Sequence, residues 1–311
     1  MKVSLVIMAA GLGSRYGGSK QVDGIGPNKE ILMEYSIYDA LRAGFNKVVF
    51  IIKPEMEEMM RSLVGDPLSR KTAADGSPVE VAYAFQDFSS VPAFYQIPAE
   101  RTKPFGTVHA LLCAGKVVHE PCCVINVDDY YGIDAFRTIY QELISLPEDG
   151  KGTMVGYLLK NTASLYGTVS RGVCTVEDGK LRSVREALKI QLYEDGTLRD
   201  LAEDKALDPE TVVSMNFWGF APGIFPRLQA YFENFLRSEA GDNIKAECLL
   251  PMMVDSEMQA GRLEVSVLRS ADRWFGMTYR EDRVQVAEEL RKLHAAGLYP
   301  ESLRGSGTAQ R

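Results

Sequence analysis

Val3-Ser4-Leu5-Val6-Ile7-Met8-Ala9-Ala10-Gly11-Leu12-Gly13-Ser14-Arg15-Tyr16-Gly17-Gly18-Ser19-Lys20 is the stretch that decides the reading of this chain. Its first half is a short apolar run of the kind that forms a buried strand. Its second half is a glycine-rich loop entered directly from that strand. Small residues let the backbone approach an anion, and their N–H groups can point at it. Arg15 and Lys20 add two positive charges beside those N–H groups. The stretch therefore predicts a phosphate cradle for a nucleotide. A dinucleotide fold is the competing reading, but it wants G-x-G-x-x-G and an acidic residue after the second strand. Here Gly11, Gly13 and Gly17 are spaced G-x-G-x-x-x-G, and the second apolar run ends in Ile52-Lys53-Pro54.

Outward from the loop, helix and strand patterns alternate. Ile31 to Ala43 has a helical period closed by Gly44, and Lys47 to Ile52 is a continuous apolar strand. Glu55 to Leu63 reads as a helix, Asp66 to Pro78 as a surface loop and Val79 to Phe85 as a strand. Thr107 to Val118 (helix), Cys122 to Val127 (strand) and Asp134 to Leu146 (helix) continue the alternation. This order predicts a mostly parallel sheet with right-handed crossovers. After Leu146 the pattern changes. Strands are expected at Thr153 to Leu159, Tyr166 to Val176, Lys180 to Val184, Thr211 to Phe220 and Leu263 to Leu268. Turns fall at Glu177-Asp178-Gly179 and Asp195-Gly196. Helices fit Ile224 to Arg237, Ile244 to Gln259 and Asp282 to Ala296. The fold class expected is α/β, a Rossmann-like mixed and mostly parallel central sheet flanked by helices. A single domain over 1–300 would comprise a nucleotide-binding half, 1–133, and an acceptor-binding half, 134–300. A flexible tail is expected over 301–311.

Composition narrows the function classes. The chain has 311 residues, 46% hydrophobic and 25% charged, which suits a globular protein with a sizeable core. A net charge of −7 and the lack of any Lys/Arg-dense run argue against nucleic acid as a partner. No apolar run approaches a membrane span. The five cysteines, Cys113, Cys122, Cys123, Cys174 and Cys248, have no zinc-ligand spacing. An odd count without a secretory leader reads as reduced thiols, hence a cytoplasmic protein.

The Ala9-Ala10-Gly11-Leu12-Gly13-Ser14-Arg15 motif followed by Lys20 resembles the signature of nucleotidyltransferases with the nucleotide-diphospho-sugar transferase fold, related to the GT-A fold. The sugar-1-phosphate nucleotidylyltransferases are among them. Ser19-Lys20-Gln21, Ile25-Gly26 and Ile31 to Ile37 are similar to the cytidylyltransferase branch. The resemblance implies transfer of an NMP from an NTP to a phosphorylated acceptor, with pyrophosphate released. A sugar 1-phosphate is the expected acceptor. It implies that Ala10, Gly11, Gly13 and Arg15 wrap the triphosphate and that Lys20 spans the phosphates, with Arg15 and Lys20 catalytic. Lys29-Glu30 resembles a Pro-Lys-Glu of the sugar branch, so Lys29 is the alternative to Lys20.

Four further stretches carry the resemblance. Gln86 and Gly106-Thr107 stand where that branch reads the base, although Thr107 is also a good helix N-cap. His109 in the same helix is read as a packed histidine rather than a ligand or catalyst. Val127-Asp128-Asp129 follows a buried strand, where ligands bind in open α/β sheets. Asp128 is implied as the ligand of Mg²⁺, which favours carboxylates and substrate phosphates, and Asp129 as its neighbour or a ribose contact. Capping of the next turn is the structural alternative. Tyr166-Gly167, Glu186, Lys189 and Asn216 are implied as acceptor contacts, with a salt-bridged Glu or a strand-end Asn as the alternative. The sugar branch often carries Trp-x-Asp, its Asp a second metal ligand, where this chain has Trp274-Phe275-Gly276. That carboxylate is missing, displaced to Asp272 or Asp282, or unnecessary. Trp274 and Phe275 are expected in the core. Two other readings stay open: a nucleotide-binding regulatory relative without transfer, and a glycosyltransferase of GT-A type.

Overall fold

A computed structural model describes residues 1–11, 24–147, 149–238, 243–270, 272–276, 279 and 281–304. In chain order the elements are β1 (Ser4–Met8), α1 (Leu32–Ala43), β2 (Lys47–Ile52), α2 (Glu57–Met60), α3 (Asp66–Ser69), β3 (Glu80–Phe85) and α4 (Thr107–Ala114). Then come β4 (Cys122–Asn126), β5 (Asp129–Tyr130), α5 (Ile133–Leu143), β6 (Lys151–Leu158), β7 (Val169–Glu177) and β8 (Lys180–Leu192). The chain continues through β9 (Leu198–Asp200), β10 (Lys205–Leu207), β11 (Val212–Phe220), α6 (Ile224–Ser238), α7 (Leu250–Gln259), β12 (Glu264–Arg269), β13 (Phe275–Gly276) and α8 (Asp282–Ala295).

The main sheet runs in the order β10-β9-β8-β12-β6-β11-β4-β1-β2-β3, with β7 bridging β11 and β8. Its first-half strands pair in parallel: β1 with β2 and β4, and β2 with β3. All the C-terminal ends of these strands therefore lie at one edge. β11 enters antiparallel to β4 and joins them to the second half, whose hairpins are antiparallel while β12 runs parallel to β6. The helices cover both faces. One core holds β1, β2 and the inner sides of α1 and α5. The other holds α4, α6 and α7 against the opposite face. β1 and β2 are buried along nearly their whole length. They read as unbroken apolar runs because helices cover both faces.

Several boundaries move, for local physical reasons. The expected Glu55–Leu63 helix continues as a wide turn over Arg61–Gly65 into α3, so part of the expected loop is helical. Pro67 has no N–H to offer the Leu63 carbonyl, which breaks the regular pattern there. The helix expected from Ile244 starts only at Leu250, with Pro251 in its first turn. Residues 243–246 instead form a turn closed by Ala246 N on Asn243 O (3.0 Å), and 246–249 run as a strap in which Cys248 N donates to Phe105 O (2.7 Å) and Cys248 O accepts from Val108 N (3.0 Å). The tail expected from 301 is tied down at its start. Leu303 is buried, and Arg304 is bonded to Glu34 (2.6 Å) and the Lys29 carbonyl (3.1 Å).

All five cysteines are buried free thiols. No helix among the described residues is long and apolar enough to cross a membrane.

Candidate active site

β1 delivers Ala9-Ala10-Gly11 to the C-terminal edge of the parallel strands. Ala9 N donates to Ile51 O at 2.8 Å, which holds the last turn of β1 against β2. Ala10 is buried and Gly11 exposed, and a Cβ at Gly11 would meet no atom of the described residues within 4 Å. Gly13, Arg15 and Lys20 lie outside the described residues. Lys29, the alternative lysine, is exposed in a tight turn with a positive φ of 62°.

Gln86 and Gly106 are brought together. Gln86 closes β3 through its N–H on Ile52 O (2.9 Å), and its Nε2 donates to Gly106 O at 3.0 Å. Gly106 has φ +89°, and a Cβ there would stand 2.8 Å from the Cys248 carbonyl oxygen. Only glycine fits this conformation and this approach. The N-cap of α4 is Gly106, not Thr107. The Thr107 hydroxyl instead accepts from Leu250 N at 2.7 Å, so it caps α7, 143 residues further on. Arg101 fastens the same corner. It is buried over the Phe105 ring, 3.7 Å from the ring centroid, and donates to the carbonyls of Lys103, Ile244 and Ala246.

His109 is fully buried, stacked on Phe232 with centroids 5.1 Å apart, and its Nε2 meets Ser90 Oγ at 2.8 Å. Nδ1 has no partner. Burial pushes the imidazole pKa down to about 4. It is a packed histidine, as expected.

At the end of β4 the chain turns through Val127-Asp128 into β5. Asp128 is half-buried and Asp129 buried. Asp129 Oδ2 accepts from Asn126 Nδ2 (2.8 Å) and Tyr131 OH (3.2 Å). Desolvation first, and the Asp128 charge second, push the Asp129 carboxyl up to about 7.

Asn126 was not singled out in the sequence. Its only signal there is a polar residue ending an apolar strand. Its Oδ1 accepts from Asn216 Nδ2 at 3.4 Å, which links β4 to β11. Asn216 sits in a register shift of β11 between Ser214 and Trp218, with φ +58°. A left-handed non-glycine residue at a bulge is a costly conformation that re-aims its side chain. Here the side chain is aimed at the end of β4.

Asp272 and Asp282, the two positions to which the second carboxylate could be displaced, both hold backbone groups. Asp272 Oδ2 accepts from Ala135 N (2.9 Å) and so caps α5. Asp282 accepts from Tyr279 N (2.7 Å) and Ser164 Oγ (3.2 Å) at the start of α8. Gly276 pairs with Asp129 across β13 and β5, and a Cβ on it would meet Asp129 Oδ1 at 2.6 Å. The Asp129 side chain thus takes the space a side chain at 276 would need. Trp274 is buried in the core as expected, whereas Phe275 is half-buried at its edge, stacked on Tyr130 at 4.3 Å.

Among the acceptor candidates, Tyr166 is exposed, and Gly167 packs under the Tyr279 ring. Glu186 is half-buried on β8, opposite Gly172 of β7. Lys189 is exposed three residues further along the same strand.

This arrangement puts a nucleotide-sized set of groups (β1 end, Gln86, Gly106) and two carboxylates at one sheet edge. The sequence matches the nucleotidyl transferase family over residues 5–266, most of the chain. The chain belongs to the nucleotidyl transferase family. No curated protein matches it. Two solved structures share the family fold over almost their whole length. One is assigned as a glucose-1-phosphate thymidylyltransferase of Bacillus anthracis, crystallised with sucrose. Its TM-score is 0.62 at 14% identity, with 97% of this chain and 98% of the other covered. The second is a UDP-glucose pyrophosphorylase complexed with UDP-glucose. Its TM-score is 0.54 at 14% identity, with coverage of 94% and 99%. At this identity the likeness shows the fold.

Proposed function

We propose that this nucleotidyltransferase moves an NMP from an NTP to a sugar 1-phosphate and releases pyrophosphate. The observation that carries the reading is the convergence of Ala10-Gly11, the Gln86–Gly106 pair and Asp128-Asp129 at the C-terminal edge of one parallel sheet. The acceptor phosphate oxygen attacks the α-phosphorus in line. A new P–O bond forms there while the bond to the β-phosphate oxygen breaks, and pyrophosphate leaves. The nucleophile is already anionic, so catalysis consists of positioning and charge neutralisation. Arg15 and Lys20 supply the positive charge, Arg through a fork and Lys as a point charge. Gln86 keeps its amide oxygen and one N–H for a base edge after donating to Gly106. Tyr166, Gly167, Glu186, Lys189 and Asn216 face the acceptor.

The donor set fits a hard divalent cation. Among the described residues no group of three or more ligating side chains is found. Mg²⁺ commonly takes one or two carboxylates and completes its shell with water and substrate phosphates. Asp128 would hold it, with Asp129 oriented beside it by Asn126 and Tyr131. A bound cation there would neutralise negative charge on the phosphate oxygens.

The test is a matrix of NTPs against sugar 1-phosphates and other alcohol phosphates with Mg²⁺, read by pyrophosphate release. One pair should turn over, and Lys20→Ala should lower that turnover by orders of magnitude in a folded protein. Nucleotide affinity without pyrophosphate release from any pair would establish the regulatory-relative reading instead.

A further inference from the structure

The chain beyond residue 266, where the match to the family ends, returns to the candidate active site. Phe275 and Gly276 pair with Tyr130 and Asp129. Between there and the first turn of α8, the chain meets two loops that flank the site.

The first is the turn that carries Tyr166 and Gly167, bridged between Ser164 and Gly167. Asp282 accepts from Ser164 Oγ (3.2 Å), which accepts in turn from Tyr166 N (3.1 Å). The other oxygen of Asp282 accepts from Tyr279 N (2.7 Å), and Tyr279 OH donates to Thr168 O (2.6 Å). The Tyr279 ring fills the space that a side chain at Gly167 would need. One carboxylate and one phenol thus hold the backbone on both sides of Tyr166, whose ring stays exposed.

The second is the turn that follows the glycine-rich stretch. Gly24 stands four residues after Lys20 and five before Lys29. Ile25 N and Gly26 N both donate to Glu30 O (2.8 and 2.9 Å), which folds this turn back on itself. Arg283 Nη2 donates to Gly24 O at 2.9 Å. Either candidate for the phosphate-spanning lysine is therefore no more than five residues from this anchor.

Asp282 and Arg283 are neighbours in the first turn of one helix, so the two loops share a single mount. Groups carried on a helix are placed more sharply than groups on free loops. We propose, on the nucleotidyl-transfer reading, that Asp282 and Arg283, assisted by Tyr279, are positioning residues that set the acceptor loop and the phosphate-binding turn against each other. In-line attack needs the reacting atoms within about 3–3.5 Å, and a small misplacement slows it steeply. Asp282 and Tyr279 act on the acceptor through the 164–168 loop. Arg283 acts on the triphosphate through Gly24.

The experiment compares Asp282→Ala, Tyr279→Phe, Arg283→Met and Arg283→Lys with the unaltered chain. Pyrophosphate release gives kcat and both KM values for the NTP and sugar 1-phosphate that turn over. Calorimetric titration with ATP, CTP, GTP, UTP and dTTP gives nucleotide affinity, and hydrogen exchange is followed at residues 24–30 and 164–168. Asp282 and Arg283 are half-buried, and Tyr279→Phe removes only a hydroxyl, so a urea midpoint near that of the unaltered chain is expected. In Asp282→Ala and Tyr279→Phe, KM for the acceptor should rise about threefold to tenfold while KM for the NTP holds. Arg283→Met should do the reverse, and Arg283→Lys, which keeps a donor for Gly24 O, should restore it. Both KM values rising together in every variant, or neither moving, overturns the proposal. Nucleotide binding without pyrophosphate release from any pair defeats the transfer reading alone. In that event weaker nucleotide binding confined to Arg283→Met, with faster exchange at 164–168 confined to the other two, supports the positioning roles. Equal binding and exchange in all variants overturns them.

Discussion

His109 allows a quantitative test of how the α4 corner is held. Its folded pKa of about 4 lies below the unfolded value of 6.5 because burial penalises the charged ring. The native state therefore holds the ring neutral, and below pH ~6.5 the unfolded chain binds the extra proton. The stability that neutral His109 permits is fully present above the unfolded value. It is lost as pH falls through the window toward the folded value. A depression of this size corresponds to about 3 kcal/mol in total, of which roughly 2 kcal/mol is lost between about pH 7 and pH 5. His109→Gln keeps a polar group near Ser90 Oγ and removes the titration. Urea unfolding of both proteins across that range measures the effect. The variant should start less stable at neutral pH, and the gap should narrow or invert as the pH falls. Parallel stability profiles would refute a buried neutral imidazole. A large loss of turnover, with unchanged stability, would make His109 a catalytic group instead.

Three other perturbations probe the site. Gly106→Ala places a methyl 2.8 Å from the Cys248 carbonyl at φ +89°. It should cost about 1–3 kcal/mol in urea unfolding and raise the KM for NTP more than that for acceptor. Arg101→Ala leaves the carbonyls of Lys103, Ile244 and Ala246 without their donor. It should destabilise by about 2–4 kcal/mol and speed hydrogen exchange at Cys248 N. Asn216→Gly and Asn216→Ala separate backbone from side chain. Glycine should be more stable than alanine by about 1 kcal/mol, because φ is positive, while turnover falls in both. Turnover retained in the glycine variant would reduce Asn216 to a backbone role.

Much of the first-half sheet and of the candidate site at its edge was legible because its signals are local. An apolar run entering glycines, a Gln ending a strand and carboxylates after a buried strand each occupy a few consecutive residues. Gly44, with φ +123° after α1, and the Asp178-Gly179 turn were readable for the same reason. The misplacements arose where distant backbone competed with local pattern. Residues 243–249 have the composition of a helix start, but they make a single turn and then a strap that hydrogen bonds to Phe105 and Val108 hold at Cys248. Thr107 reads as the cap of its own helix and caps α7 instead.

The sequence by itself determined the alternating first half and the family. Periodicity, glycine placement and charge are properties of short stretches, and they survive without any knowledge of what lies opposite. Only the tertiary structure decided three other points. Asn126 and a bulged Asn216 meet beside Asp129. The Asp129 side chain takes the space next to Gly276. The guanidinium of Arg171 on β7 is buried 5.1 Å from the Trp274 ring centroid. Each depends on strand register, where a shift of one residue turns every side chain to the other face. That register is set by pairings between residues dozens of positions apart.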